Sequence, residues 1–377
     1  MQRKLNVSFW TLLMTSSFLI KTANAETVAE SGDKSHRAVG LSEQPREMDK
    51  NIINGSFIIK EGEVESVGNG ETSKGTLIDE IDEYGLQSIE YGGQTEEVKV
   101  YGGEQIILGE GSYAYSSKIQ GKGETLGQQN VYDDGVALFT DVMSGGEQNL
   151  STWLGDVGGL AVDTRVFAAG VQNVFAGGRA NTVTLEEGAL QRVYAGGYVE
   201  TLMINSGANS LVYSGAILEG AVKINGSGKL HLYAGDGGHQ TTAEEILLNG
   251  KEAQLYSIAT EVTGSSSLIG KLSGNGSVIF TSTATSPDST KLNSYYSLLY
   301  VGDLSGSLHF NLRGNVKERY GDYLIIEEGA SDHTVSVLDS GAEIANNSFQ
   351  SVNLITDKSG NAHFSLKNRS GEKAATI

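Results

Sequence analysis

The side chains that could carry out chemistry are few and scattered. The six histidines are His36, His231, His239, His309, His333 and His363. None stands at the HxH or HExxH spacing that brings two imidazoles to one metal. His231, His309 and His363 fall in alternating runs that read as strands, so a structural role is expected for them. Asp133-Asp134, and Asp79-Glu80 with Asp82-Glu83, are acidic turns and read as solvated faces. Gly158 to Asp163 partly copies the calcium-binding nonapeptide GGxGxDxUx, but Ala161 takes the third glycine position and Arg165 the apolar one. Such a site needs stacked copies, and one degenerate copy builds none. Gly121 to Gly127 (GKGETLG) lacks the GK[ST] ending and the helix of a phosphate loop. No GxSxG elbow occurs, and with no cysteine there is neither a disulfide framework nor a thiolate metal site. Catalytic residues, metal ligands and cofactor contacts are therefore expected to be none.

What repeats is not a reactive group but a frame. From Gly159 to Gly235 the chain reads GLAVDTRVFAAGVQNVFAG, GRANTVTLEEGALQRVYAG, GYVETLMINSGANSLVYSG, AILEGAVKINGSGKLHLYAG. Each block closes on an aliphatic, an aromatic, a small residue and glycine, and the period is 19 or 20 residues. Short alternating runs such as Thr182 to Leu185, bounded by Gly or Asn, are strand signals. A block this short cannot bury its own apolar side, but stacked blocks can. The expected fold is all-β: a right-handed, single-stranded parallel β-helix with one block per rung. Phe175, Tyr194, Tyr213 and Tyr233 would then lie above one another as a structural aromatic ladder. Packing is its expected role; facing outward, it would make a sugar- or partner-binding strip.

A recurring glutamine marks the register beyond these blocks. It stands at Gln87, Gln105, Gln129, Gln148, Gln172 and Gln191, with Ser210 next. The 24-residue steps, from Gln105 to Gln129 and from Gln148 to Gln172, predict loop insertions near 110–125 and 150–160. Residues 51–256 form this repeat helix. From 257 to 377 the strands become more continuous, as in Ser277 to Phe280 and Ser307 to Leu312, and are read as further rungs, with Thr281 to Asn293 a polar loop.

The chain opens on a secretory signal in residues 1–25. Arg3 and Lys4 are its basic end, Phe9 to Ile20 its apolar run, and Ala23-Asn24-Ala25 a small-x-small cleavage site. Residues 26–50 are polar, without periodicity, and read as a flexible mature N-terminus. The signal holds three of the 27 basic residues and no acid, which leaves 24 basic against 46 acidic residues, a net of −22. That balance argues against nucleic acid or an anionic membrane surface as partner. Glycine is 50 of 377 residues, about twice the usual share of roughly 7%, as many tight turns require.

The Gly159 to Gly235 blocks resemble the 19-residue repeats of AIDA-type autotransporter adhesins. The order Gly321-Asp322-Tyr323-Leu324-Ile325-Ile326, Ala330 to Val335, Asp339 to Glu343 and Asn361 to Asn368 resembles the C-terminal end of pertactin-like passenger domains. The resemblance implies export to the cell surface or beyond. It also implies a partner, the outer-membrane β-barrel translocator, which this chain lacks: no run of roughly ten-residue membrane strands follows. Residues 257–377 then read as pertactin-like rungs truncated before the barrel, and the chain as it stands would reach the periplasm. The implied role is adhesion to a host-cell receptor or glycan, or self-association as in aggregation and biofilm. A repetitive polar surface achieves this through many weak contacts. The alternatives are a β-helical polysaccharide-degrading enzyme, which needs paired carboxylates in a cleft, and a remnant without function.

Overall fold

The computed structural model describes residues 46–47, 58–59, 63–79, 85–155, 157–262, 264–284, 295–339, 351–367 and 373–376. All of them belong to one unit, Pro45–Ile377. The proposed signal with Ala23 and Ala25, nearly all of 26–50, and most of the proposed loop Thr281 to Asn293 lie outside the described residues.

The chain is an all-β solenoid of stacked parallel strands. One rung shows the pattern. The strand Gly127–Tyr132 runs along the first sheet, turns at Asp133-Asp134, and continues as Val136–Leu138 and Asp141–Val142 in the second sheet. The chain then re-enters the first sheet as Gly146–Ser151, one rung further on. Gly127–Tyr132 pairs in parallel with Gly146–Ser151 and also with Glu104–Leu108 on its other side. Strand alternation decides which side chains face in. In Gly146–Ser151 every second residue is buried, and Leu150 is fully so.

The second-sheet arm is bent at one point in each early rung, and the bend residue has left-handed backbone. Gly75, Glu97, Ser116, Phe139, Asp163 and Thr182 hold this place with φ between 55° and 70°. A left-handed residue that is not glycine costs about 1–2 kcal/mol. The corner is retained because it lets the ladder run on from rung to rung. Glu97 N donates to Tyr115 O, Ser116 N to Leu138 O, and Phe139 N to Val162 O, all within 2.9 Å. Glycine has a separate task at Gly177 and Gly178, between the two sheets. Gly177 has φ +77°, and a Cβ on Gly178 would stand 2.3 Å from the Leu150 carbonyl oxygen of the neighbouring rung.

The register glutamines point inward. Gln87, Gln105, Gln129, Gln148, Gln172 and Gln191 are all fully buried. Their amides form one directional chain, each Nε2 donating to the Oε1 one rung earlier at 2.7–2.8 Å. The hydroxyls of Ser117, Thr140 and Thr164, each one residue past the bend, donate to the same oxygens. The N–H end of the chain is capped by the Glu65 carboxylate at 2.6 Å, and the carbonyl end accepts Ser210 Oγ at 2.9 Å. Buried amides must be satisfied or they destabilise the core, and this arrangement satisfies them. Beyond Ser210 the same column continues as Leu230, Leu255, Val278, Phe310 and Val335. The interior thus changes from amide to hydrocarbon in mid-solenoid.

The two 24-residue steps resolve as predicted. The first contains a small excursion, with Lys122 and Thr125 bridging antiparallel. The second contains the surface loop that carries Trp153 and Leu154.

Candidate functional site

Among the described residues, no group of three or more His, Asp or Glu side chains is placed to hold a metal. Three histidines, His231, His309 and His333, are absorbed by packing, whereas His239 and His363 are exposed, which corrects the structural role expected of His363. His231 stacks on Tyr256 with centroids 4.5 Å apart, and burial, with Lys229 nearby, lowers its pKa to about 4. His333 is buried between Phe310 and Phe364; its Nε2 lies 2.9 Å from Ala330 O, and burial lowers its pKa. His309 touches Thr334, Asn311 and Ser336, and burial lowers its pKa too. His36 lies outside the described residues.

Asp133 does more than face water, which corrects its reading as a solvated turn. Its carboxylate accepts backbone N–H bonds from Trp153 at 2.7 Å, Leu154 at 2.9 Å and Gly155 at 3.3 Å. Burial pushes its pKa up, but the three N–H groups outweigh this and hold it below the usual carboxylate value. One acid thus fixes the loop of the next rung. Trp153 in that loop stands edge-on to Tyr132 at 5.2 Å, and Leu154 is 83% exposed.

The aromatic residues singled out in the sequence do meet. Phe175 stacks on Tyr194 at 4.8 Å, Tyr194 on Tyr213 at 5.0 Å, and Tyr213 on Tyr233 at 4.9 Å, with interplanar angles of 5°, 13° and 23°. These distances are close to the ~4.8 Å strand spacing, so the backbone sets the stack. Each ring is half-buried. Each directly follows a buried aliphatic residue, Val174, Val193, Val212 or Leu232, and so points away from the core. Together they floor an open trough of about 610 Å³, with Ser151 and Thr152 at one end and Thr260 at the other.

The C-terminal rungs carry a different feature. Asp322 is fully buried and accepts bonds from Ser297 N at 2.8 Å, Arg313 N at 2.7 Å and the Arg313 guanidinium at 2.8 and 3.0 Å. Arg313 in turn lies over Tyr295, 4.7 Å from its centroid, and donates to Tyr295 O. This ties the segment before Leu298–Leu304 to the hairpin at Gly314 and Gly321. The run Gly321 to Asn368, which resembles the end of pertactin-like passengers, holds this aspartate, the buried His333 and the strand His363–Lys367. Residues 260–375 match the Pertactin family model. The match covers the C-terminal, pertactin-like part of the resemblance and not the Gly159 to Gly235 repeats. The pertactin-like segment thus begins where the aromatic trough ends, at Thr260. A solved structure, a TibC-catalysed hyper-glycosylated TibA fragment spanning residues 55–350, aligns over 84% of this chain and 97% of its own length. Its TM-score is 0.50 at 24% sequence identity, a likeness of fold. No curated protein sequence matches the chain significantly.

No sequence signal marked the Asp133 loop clamp or the Arg313–Asp322 pair. Their partners lie 20–22 and nine positions apart, and neither spacing is a motif.

Proposed function

We propose that the chain is the passenger of an autotransporter and acts as a non-enzymatic surface adhesin, binding host-cell surfaces or copies of itself. The observation that carries this reading is the outer surface of the solenoid, where side chains of one kind recur rung after rung. Asn130, Asn149 and Asn173 form one amide row, linked at 2.9 and 2.8 Å, but Asn130 and Asn173 are buried, so this row adds little contact surface. Asn205, Asn225 and Asn249 form a second, linked at 3.0 and 2.8 Å. The aromatic column is a third. Such a surface offers the same weak contact many times at fixed spacing, and affinity then comes from multiplicity. The Pertactin match and the TibA likeness support the same reading. On this reading residues 1–25 are a signal removed after Ala25, 26–50 a linker, 51–256 the repeat helix and 257–377 the pertactin-like rungs. An outer-membrane β-barrel is the translocation partner.

The test is display. The full chain is fused ahead of an autotransporter barrel and expressed in a non-aggregating bacterial strain. Protease added outside should remove it, and displaying cells should settle together or attach to epithelial monolayers. Surface exposure without either behaviour would refute the adhesive reading.

A further inference from the structure

The second sheet carries an apolar patch on its outer side that neither the core nor the trough uses, and the inference drawn from it rests on the adhesive reading. Tyr113, Val136 and Leu160 are register partners on successive rungs, and so are Tyr115, Leu138 and Val162. Between the two columns Ala114, Ala137 and Ala161 are buried, so strand alternation turns the six large side chains outward. Phe139, at the left-handed corner, extends the patch, its ring edge-on to Tyr115 at 5.3 Å. Tyr113, Tyr115 and Phe139 are 40%, 47% and 48% exposed. A contiguous uncharged patch of this kind marks a contact surface.

The rungs on either side turn polar, and their charges differ in sign. Before the patch the two columns continue as Gln94 and Glu96, then Thr72 and Lys74. Lys74 Nζ lies 2.9 Å from the Glu96 carboxylate and 3.8 Å from that of Glu97. After the patch stand Arg179 and Asn181, then Tyr198. Glu200 N donates to Ala180 O, which sets Glu200 one rung beyond Asn181. Arg179 lies over Tyr198, 5.2 Å from its centroid, and among the described residues it pairs with no carboxylate. Counted from the strand Val136–Leu138, Glu96 and Arg179 are thus equally far away on opposite sides, and so are Lys74 and Glu200.

That symmetry is what a two-fold contact requires, because each copy must supply both halves of every pair. Two sheets packed face to face about an axis along Val136–Leu138 have their rung order reversed. Val136 and Leu138 then meet their own copies, and Tyr113 and Tyr115 meet Leu160 and Val162. Glu96 comes beside Arg179 and Lys74 faces Glu200, each pair occurring twice. An axis along the solenoid would instead bring Lys74, Glu96 and Arg179 each beside its own copy, like charge on like, which is unfavourable. We propose that this patch is the contact between two copies of the chain, packed face to face with their solenoids antiparallel. From Gln94 to Arg179 the surface is about 20 Å long. That is small beside the roughly 800 Å² per partner of a stable dimer, so the pair is weak in solution and gains strength where many copies stand side by side.

The chain has no cysteine, so single cysteines can be introduced as reporters. Leu138→Cys sits on the axis and should be joined to its own copy by a short bis-maleimide. Lys74→Cys and Glu200→Cys should each stay unjoined alone and be joined to one another when mixed. Sedimentation of the full chain should show a concentration-dependent dimer. Leu138→Lys sets two ammonium groups against each other on the axis, so its association constant should fall about tenfold or more at an unchanged melting temperature. A monomer at every concentration, unchanged association in Leu138→Lys, or Lys74→Cys joined to itself would overturn the proposal. Displaying cells that settle together as well with Leu138→Lys as without it would count against the patch and leave the adhesive reading standing. A dimer in solution, from a chain whose displaying cells neither settle nor attach, would retain the contact and remove the adhesive reading.

Discussion

Replacing Gln129 with methionine removes an amide from the middle of the buried ladder while nearly keeping its shape. In the native rung its Nε2 donates to Gln105 Oε1 at 2.7 Å, and its Oε1 accepts Gln148 Nε2 at 2.8 Å and Thr140 Oγ1 at 3.2 Å. Gln105 Oε1 keeps a donor in Ser117 Oγ. Gln148 Nε2 and the Thr140 hydroxyl lose their acceptor inside the core, and each such orphan costs about 1–3 kcal/mol. The expected loss is therefore about 3–5 kcal/mol. Ser210→Ala at the ladder's end is the control: it removes one donor and orphans no buried N–H, so about 1 kcal/mol is expected. Gln129→Met/Gln148→Met adds only the Thr164 hydroxyl and shifts the break to Gln172, so it should cost well under twice the single variant. Solenoids unfold in segments, so the assay is hydrogen exchange of the strands flanking the change, alongside urea melts followed by Trp153 fluorescence. A cost for Gln129→Met no greater than that of Ser210→Ala, or simple addition of the two glutamine changes, would refute the cooperative ladder.

Four further outcomes follow from the same geometry. Asp133→Ala should release the loop and shift Trp153 emission to the red. In the parent the lowered Asp133 pKa means that its contribution is present above the ordinary carboxylate pKa and is lost as pH falls through the folded value, so the same shift should appear on acidification and be absent from the variant. His231 has a folded pKa of about 4 against an ordinary value of 6.5, so the unfolded chain takes up its proton first as pH falls. Stability should drop between about 6.5 and 4, and His231→Phe, which keeps a ring on Tyr256, should flatten that part of a thermal-melt pH profile. Removing the buried carboxylate in Asp322→Ala leaves Arg313 short of its partner and should destabilise the pertactin-like rungs by about 3–5 kcal/mol, read by hydrogen exchange of Tyr323–Gly329. Gly159→Ala would place a Cβ 2.2 Å from Val131 O and should lower soluble yield and melting temperature, whereas Gly237→Ala meets nothing within 4 Å and should leave both unchanged.

Much of the architecture was present in the spacing of residues. The 19-residue step between Gln172 and Gln191 is the strand register itself, since these two residues are direct partners. The longer steps located both excursions. The residues of the aromatic column were readable for the same reason: a repeat places like residues above one another whatever their chemistry. The three-residue interval from Gln172 to Phe175 also required the two columns to face opposite ways, because side chains alternate along a strand.

Which column faced inward was a different matter. Polarity alone would send the glutamines out and bring the rings in, and the folded chain does the reverse. The inward place is open to glutamine only because a neighbour one rung away completes each amide, a condition that local sequence cannot state. The outward place of the rings turns a packing element into the floor of a trough. Tertiary structure likewise decided the left-handed corner at Glu97, Ser116 and Phe139, whose residue types share nothing; its cause is the hydrogen bond each N–H makes to the following rung. It decided the Asp133 clamp and the Arg313–Asp322 pair in the same way. Spacing along the chain determined the period, the register and the stacking partners. The sense of each face and the pairing of charges depended on contacts between rungs, which exist only once the rungs are stacked.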